Sequence, residues 1–196
     1  MKGCSLRNWK RYITIVIIVI GAIFYYRHDQ AINNFNMALK YLNGSGIQKD
    51  RFKAMELFEK SCNFGLADAC TNLGSMYKNK HLSELAKNPN NNIPNQKEDY
   101  LKAYGYLEKA CNGNSPKGCQ GLAELYLDGL GIPQDSFKAV IYYKKACDKN
   151  TPWSCHMLGF IYENEKDMQN AKEYYKKACE LDPEKLVLSC EKYKQL

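Results

Sequence analysis

Residues 42–54 read LNGSGIQKDRFKA, and residues 127–139 read LDGLGIPQDSFKA. Leu42/Leu127, Gly44/Gly129, Gly46/Gly131, Ile47/Ile132, Asp50/Asp135, Phe52/Phe137, Lys53/Lys138 and Ala54/Ala139 are identical pairs. A signal rewritten at this length marks a stack of like units, and this constrains the fold more than any composition could. In each copy the glycines allow a tight loop to re-aim the chain, because only glycine takes positive φ at no steric cost. The aspartate that follows is placed to cap the first turn of the next helix.

The cysteines set the frame of the repeat. There are nine, and eight fall in neighbouring pairs: Cys62/Cys70, Cys111/Cys119, Cys147/Cys155 and Cys179/Cys190. Zinc sites want two to four residues between paired ligands, and His28, His81 and His156 do not cluster in sequence, so no metal site is expected. Redox motifs want two residues between cysteines. An even number behind an export-like segment reads as four local disulfides in an oxidising compartment, and the regular repetition favours nearest-neighbour pairing. Cys4 stands apart, ahead of the apolar segment.

LGSMY (73–77), LAELY (122–126) and LGFIY (158–162) follow each second cysteine. KAMELFEKSC (53–62), KAYGYLEKAC (102–111), KAVIYYKKAC (138–147) and AKEYYKKAC (171–179) end on each first cysteine. Apolar residues in both kinds recur at three- and four-residue steps, so both are helices. The unit is helix A, a turn, helix B and a cysteine-bracketed connection. Ala54, Ala103, Ala139 and Ala171 mark where helices approach closely.

The pattern L-G-x-x-Y, G-x-G-I, D-x-x-K-A and K-A-C with a second cysteine further on resembles the Sel1-like repeat, and more narrowly the secreted cysteine-rich Sel1-like proteins of bacteria. The resemblance spans about residues 30–193 and implies an all-α, right-handed α/α solenoid of about four helix pairs. Two units depart from it. The second carries the Asn-rich insertion 79–98 in place of the glycine loop, and the fourth has the shorter ENEKDMQN, close to a tetratricopeptide turn. A closing helix is expected over 183–194, with Asp182 as its cap and Pro183 in its first turn.

The N-terminus supplies most of the charge. The net charge is +7, but residues 1–28 hold five bases and no acid, leaving +2 for the remainder with both signs interleaved. That excludes the electrostatic footprint of a nucleic-acid binder. The apolar segment from Tyr12 to Tyr26 would span about 22 Å as a helix and has aromatic residues at both ends. It reads as a signal anchor, or alternatively a cleaved signal peptide, with residues 29–196 on the periplasmic side of an inner membrane or secreted.

In such a solenoid helix A lines the inner wall. The wall is expected to offer Thr71, Asn72, Ser75 and Lys78, then Gln120, Gly121, Glu124 and Leu127, then His156, Met157, Phe160 and Glu163. A polar and aromatic groove suits a peptide or protein segment held by a monomer without a cofactor; a merely solvated face is the alternative. The resemblance also implies a rival, since some cysteine-rich Sel1-like proteins are described as slow β-lactamases. Ser75 with Lys78, and Ser189 with Lys192, match S-x-x-K, but no K-T-G follows and no phosphate loop appears.

Overall fold

A computed structural model describes residues 6–80 and 95–196. Cys4, His81 and most of the insertion read at 79–98 lie outside them. Nine helices and no strand occur among the described residues: α1 (Leu6–Asn43), α2 (Arg51–Asn63), α3 (Ala67–Lys78), α4 (Gln96–Asn112), α5 (Pro116–Asp128), α6 (Ser136–Cys147), α7 (Pro152–Asn164), α8 (Met168–Leu181) and α9 (Val187–Gln195). The chain divides into two compact units, Met1–Leu66 and Ala67–Leu196.

In the first unit the apolar segment and the first helix A are one continuous helix, so the boundary drawn at residue 28 is not a break in α1. Side chains from Tyr12 to Asp29 are exposed throughout. Only farther along does α1 bury anything, where Ala31 and Ala38 face α2 and Phe35 meets Phe58 edge-on at 5.6 Å. The Ser61 hydroxyl, fully buried, donates to the Ala31 carbonyl at 2.7 Å. Among the described residues α1 is the one helix long and apolar enough to cross a membrane, a test that a signal sequence also passes.

In the second unit α3, α5 and α7 are the A helices and α4, α6 and α8 the B helices, each packed on its neighbours in order, with α9 closing on α8. Local chemistry fixes where the B helices begin. Asp135 accepts from Lys138 N at 2.9 Å and Asp167 from Asn170 N at 3.1 Å, as Asp50 does from Lys53 N at 2.9 Å in the first unit. Such caps satisfy donors that have no partner within the helix. Each capping residue also ties its loop back to the tyrosine ending helix A: Asp50 N to Tyr41 O, Asp135 N to Tyr126 O and Asp167 N to Tyr162 O, all within 3.0 Å. The short fourth loop therefore closes on the same bond as the glycine loops. Gly129 and Gly131 take φ of 67° and 75°, and a Cβ on Gly131 would come within 2.5 Å of Tyr100 Cβ.

Two boundaries differ from those expected. The insertion expected over 79–98 is shorter at its end, because α4 begins at Gln96; Asp99 lies inside the helix, buried, with its carboxylate 2.8 Å from Lys80 Nζ. The closing helix begins at Val187 rather than 183. Asp182 instead closes a turn, its side chain accepting from Lys185 N at 3.2 Å and its carbonyl from Leu186 N at 3.0 Å.

The core is built from one B-helix position and the small residues opposite it. Leu107, Tyr143 and Tyr175 each lie four residues before a B-helix cysteine and are buried, as is Phe58 in the first unit. Burying each such side chain contributes about 1.5–3 kcal/mol. Gly74 and Gly159 make room for Leu107 and Tyr175; a Cβ at either would meet that side chain at 2.7 Å. The bracketing disulfides Cys111–Cys119, Cys147–Cys155 and Cys179–Cys190 hold Cα atoms 4.5, 4.9 and 4.9 Å apart. Cys62 and Cys70 are also disulfide-bonded. Each short bridge closes a loop of roughly ten residues, worth about 2–3 kcal/mol in the chain-entropy account.

Candidate ligand-binding face

Within the second unit the A helices present one face that no B helix covers. On α3 it offers Asn72, Ser75 and Lys78, all half-buried. On α5 it offers Gln120, Glu124 and Leu127, half-buried, with Asp128 more exposed. On α7 it offers Met157, half-buried, and the exposed Phe160. Trp153 and Phe160 are each 45% exposed, and with Met157 they form one stripe, because positions three and four apart share a helix face.

Polar groups on this face are tied together across repeats. The Lys78 ammonium pairs with one Glu124 oxygen, bridging α3 and α5. Gln120 Nε2 donates to the other at 2.9 Å. Asp128, one turn along, sees the same lysine at longer range, and its carboxyl is held above the usual carboxylate range by burial and by the Glu124 charge. Glu163 pairs with Lys192 of α9 and accepts from the Tyr175 hydroxyl at 2.7 Å. These two hydrogen bonds, the lysine's first, hold its carboxyl below the usual range. The buried phenols of Tyr143 and Tyr175 are both pushed up, chiefly by burial and further by these same carboxylates.

Thr71, Gly121 and His156 are not on this face; Gly121 is buried against Leu107. Thr71 is buried, its hydroxyl bonded to Ala67 O at 3.1 Å and to Ser115 Oγ at 2.9 Å. His156 is buried too, with Nδ1 at 2.7 Å from Ser189 Oγ and its ring against Trp153 at 5.1 Å and Tyr175 at 5.5 Å. Both correct the expected wall because each side chain reaches a serine of a later element, Ser115 for Thr71 and Ser189 for His156, and so fills a seam. The equivalent Gln120 instead bonds Glu124 on its own helix and stays half-buried on the face. Burial lowers the His156 pKa, and the Glu163 charge only partly opposes that.

Neither S-x-x-K pair is arranged as a nucleophile with a free base. The Lys78 amine is bonded to Glu124, and Ser189 is fully buried beneath His156. Among the described residues no cluster of His, Cys, Asp or Glu could hold a metal ion. A cleft of about 410 Å³ opens beside the Cys111–Cys119 bridge and is bordered by Lys145 and Lys149, away from the A-helix face. The sequence names Lys192 only through its S-x-x-K spacing to Ser189, not as the partner of Glu163, and does not single out Trp153 or Asp128. The last two are within reach, since Trp153 stands seven residues before Phe160 and Asp128 four after Glu124, the spacings of a shared helix face.

Capped helix pairs stacked in order, with one face of A helices left open, define a solenoid of the tetratricopeptide-like class. The chain belongs to the Sel1 repeat family: the family's profile matches residues 34–63, 67–79, 94–115 and 116–151. The tetratricopeptide repeat profile matches 154–185, where the interhelix loop is short. The chain is 31% identical over 114 residues to cytochrome c oxidase assembly factor 7 of Xenopus tropicalis, covering 56% of this chain and 45% of that protein. A second match, to factor 7A of Xenopus laevis, has the same identity and coverage. The chain thus spans less than half the length of these curated relatives. Among solved structures it resembles c5321, a protective antigen of uropathogenic Escherichia coli, with a TM-score of 0.64 and 25% identity over 76% of this chain and 30% of that one. It also resembles a Sel1 repeat protein from Oxalobacter formigenes, with a TM-score of 0.64 and 22% identity over 78% of this chain and 58% of that one.

Proposed function

We propose that this disulfide-stapled Sel1 repeat scaffold works by holding a peptide or protein partner on its A-helix face. The observation that carries the reading is the stripe of exposed Trp153 and Phe160 with half-buried Met157 between them, beside a linked set of polar side chains on α3 and α5. A solenoid spreads contacts over repeats, so such a face suits an extended segment better than a compact small molecule. The oxidised cysteines and the apolar part of α1 support a place outside the reducing cytoplasm, tethered by α1 on the periplasmic side of a membrane or released from it. An assembly factor among the relatives fits the same class of work, since assembly requires a client polypeptide to be held.

Site-specific photo-crosslinking in the expressing cell tests the reading. A benzophenone side chain at position 160 or 72 should capture a discrete polypeptide, and one at the exposed B-helix position 137 should not. Equal labelling from all three positions would refute the assignment to the A-helix face.

A further inference from the structure

The charge and the apolar surface of the A-helix face are not spread evenly, and their separation narrows the kind of segment that fits. On α5, Glu124 and Asp128 are one turn apart, where two like charges repel. One lysine, Lys78, serves both: it pairs with Glu124 and reaches Asp128 only at longer range. Among the described residues the Asp128 side chain makes no ion pair or hydrogen bond, so the cluster keeps a net negative charge. Burial and Glu124 both push the Asp128 carboxyl up, and an arriving cation would relieve both effects.

On α7, one repeat along, the corresponding surface is apolar. Phe160 holds the repeat position that Glu124 holds on α5, five residues after the second cysteine. Trp153 and Phe160 stay 45% exposed. Trp153 is stacked on the buried His156, so little side-chain freedom remains for it to lose on binding. The helices α5 and α7 both pack on the B helix between them, α6. Axes of helices in direct contact lie about 8–10 Å apart, so two helices one removed from each other are separated by up to about 16–20 Å. Extended chain advances about 3.3 Å per residue, so a segment crosses from α5 to α7 in roughly three to six residues.

Building on the binding role proposed for this face, we infer that its partner is an extended segment carrying an arginine or lysine roughly three to six residues from an aromatic or large aliphatic side chain, the base against Glu124 and Asp128 and the apolar group against Trp153, Met157 and Phe160. An acidic segment would meet the net negative charge on α5, and a wholly apolar one would leave the Asp128 carboxylate desolvated and unpaired, which is costly. A guanidinium can bond both carboxylates in its plane.

The test uses the full-length oxidised chain in detergent and a fluorescein-labelled Gly-Ser-Arg-Gly-Ser-Gly-Ser-Phe-Gly-Ser peptide, read by fluorescence anisotropy at low salt. The peptide should bind about two- to fivefold tighter than its arginine-to-glutamate counterpart, the range for an exposed ion pair. Asp128→Asn should abolish that preference while keeping the affinity for the glutamate peptide. Phe160→Ala should weaken the arginine peptide by about tenfold, as for the loss of an exposed apolar anchor. Equal binding of the two peptides, a preference untouched by Asp128→Asn, or no binding of either at millimolar concentration would each overturn the inference. Self-association of the unliganded chain that disappears in Phe160→Ala would also overturn it, in favour of a second copy as occupant. None of these outcomes touches the crosslinking contrast between positions 160 and 137, which judges the binding face independently of what it holds.

Discussion

Lys138 Nζ lies 5.1 Å from the centre of the Tyr126 ring, joining the lysine of the D-x-x-K-A signal to the tyrosine of the L-x-x-x-Y signal. The contact recurs as Lys102 over Tyr77 and, in the first unit, as Lys53 over Tyr41, at 5.8 and 6.0 Å. Beneath the lysine the tyrosine stacks on one from helix B: Tyr77 on Tyr106, Tyr126 on Tyr142 and Tyr162 on Tyr174, all within 10° of parallel. A second lysine covers the B-helix ring at Lys109/Tyr106 and Lys145/Tyr142. Letters that look unrelated along the chain are thus one layered contact between the two helices of a repeat. Asn170 takes the lysine's place in the fourth repeat.

A double-mutant cycle at Lys138 and Tyr126 should reveal this contact. Lys138→Met keeps the apolar stem and removes the charge, and should cost about 0.5–1 kcal/mol, the usual size at an exposed site. The same change in a Tyr126→Leu background should cost nearly nothing. Urea unfolding of the oxidised protein measures both, and equal costs in the two backgrounds would reduce the pair to mere proximity.

Two helical glycines should respond oppositely to alanine. In Gly159→Ala the new Cβ would stand 2.7–2.9 Å from three atoms of the Tyr175 ring, which is buried and has nowhere to turn. The expected loss is about 1–3 kcal/mol, as for other overpacked cores. Gly105 in α4 has nothing within 4 Å of its Cβ direction, so Gly105→Ala should stabilise by about 0.5–1 kcal/mol through helix propensity alone. Unfolding midpoints that move in the same direction would contradict this packing.

How much of this was legible beforehand depends on how local each cause is. The caps at Asp50 and Asp135 could be read because carboxylate and amide are three residues apart on one chain. Thr71 and His156 were misplaced because a helical wheel drawn for one repeat knows only its own helix B; their partners, Ser115 and Ser189, lie 44 and 33 residues away. The start of α4 was missed for a similar reason, since the Asp99 that resembles a cap is buried and paired with Lys80 across the insertion. The Lys78–Glu124 pair joins positions that no single repeat shows together.

That pair also bears on catalysis. A serine nucleophile in an S-x-x-K arrangement needs a base to take its proton, and here the Lys78 amine is bonded to a carboxylate. Turnover of a chromogenic cephalosporin by the oxidised protein should therefore be unchanged, within error, in Ser75→Ala and Lys78→Met. A fall of orders of magnitude in Ser75→Ala with the fold intact would restore the dyad as an active site.

The seam between α7 and α9 should make the fold sensitive to mild acid. His156 is held neutral by burial, packed on Trp153 and Tyr175 and bonded to Ser189, while Glu163 is the one nearby charge favouring its protonation. The ordinary imidazole pKa is about 6.5, and the native one lies below it. Below about pH 6.5 the unfolded chain takes up a proton that the native state resists, so stability falls with pH down to the native pKa and no further. Above that window the residue adds no slope. The Glu163 carboxyl is shifted down instead, so its contribution is lost only at lower pH, as its own folded pKa is approached. Urea midpoints taken between pH 7.5 and 5 should decline, and His156→Gln, whose amide can keep a bond to Ser189, should flatten the decline. Trp153 emission in the native protein should change with an apparent pKa below 6.5, reporting the proton on the ring it stacks against. An unaltered slope in His156→Gln would mean that the acid sensitivity arises elsewhere in the chain.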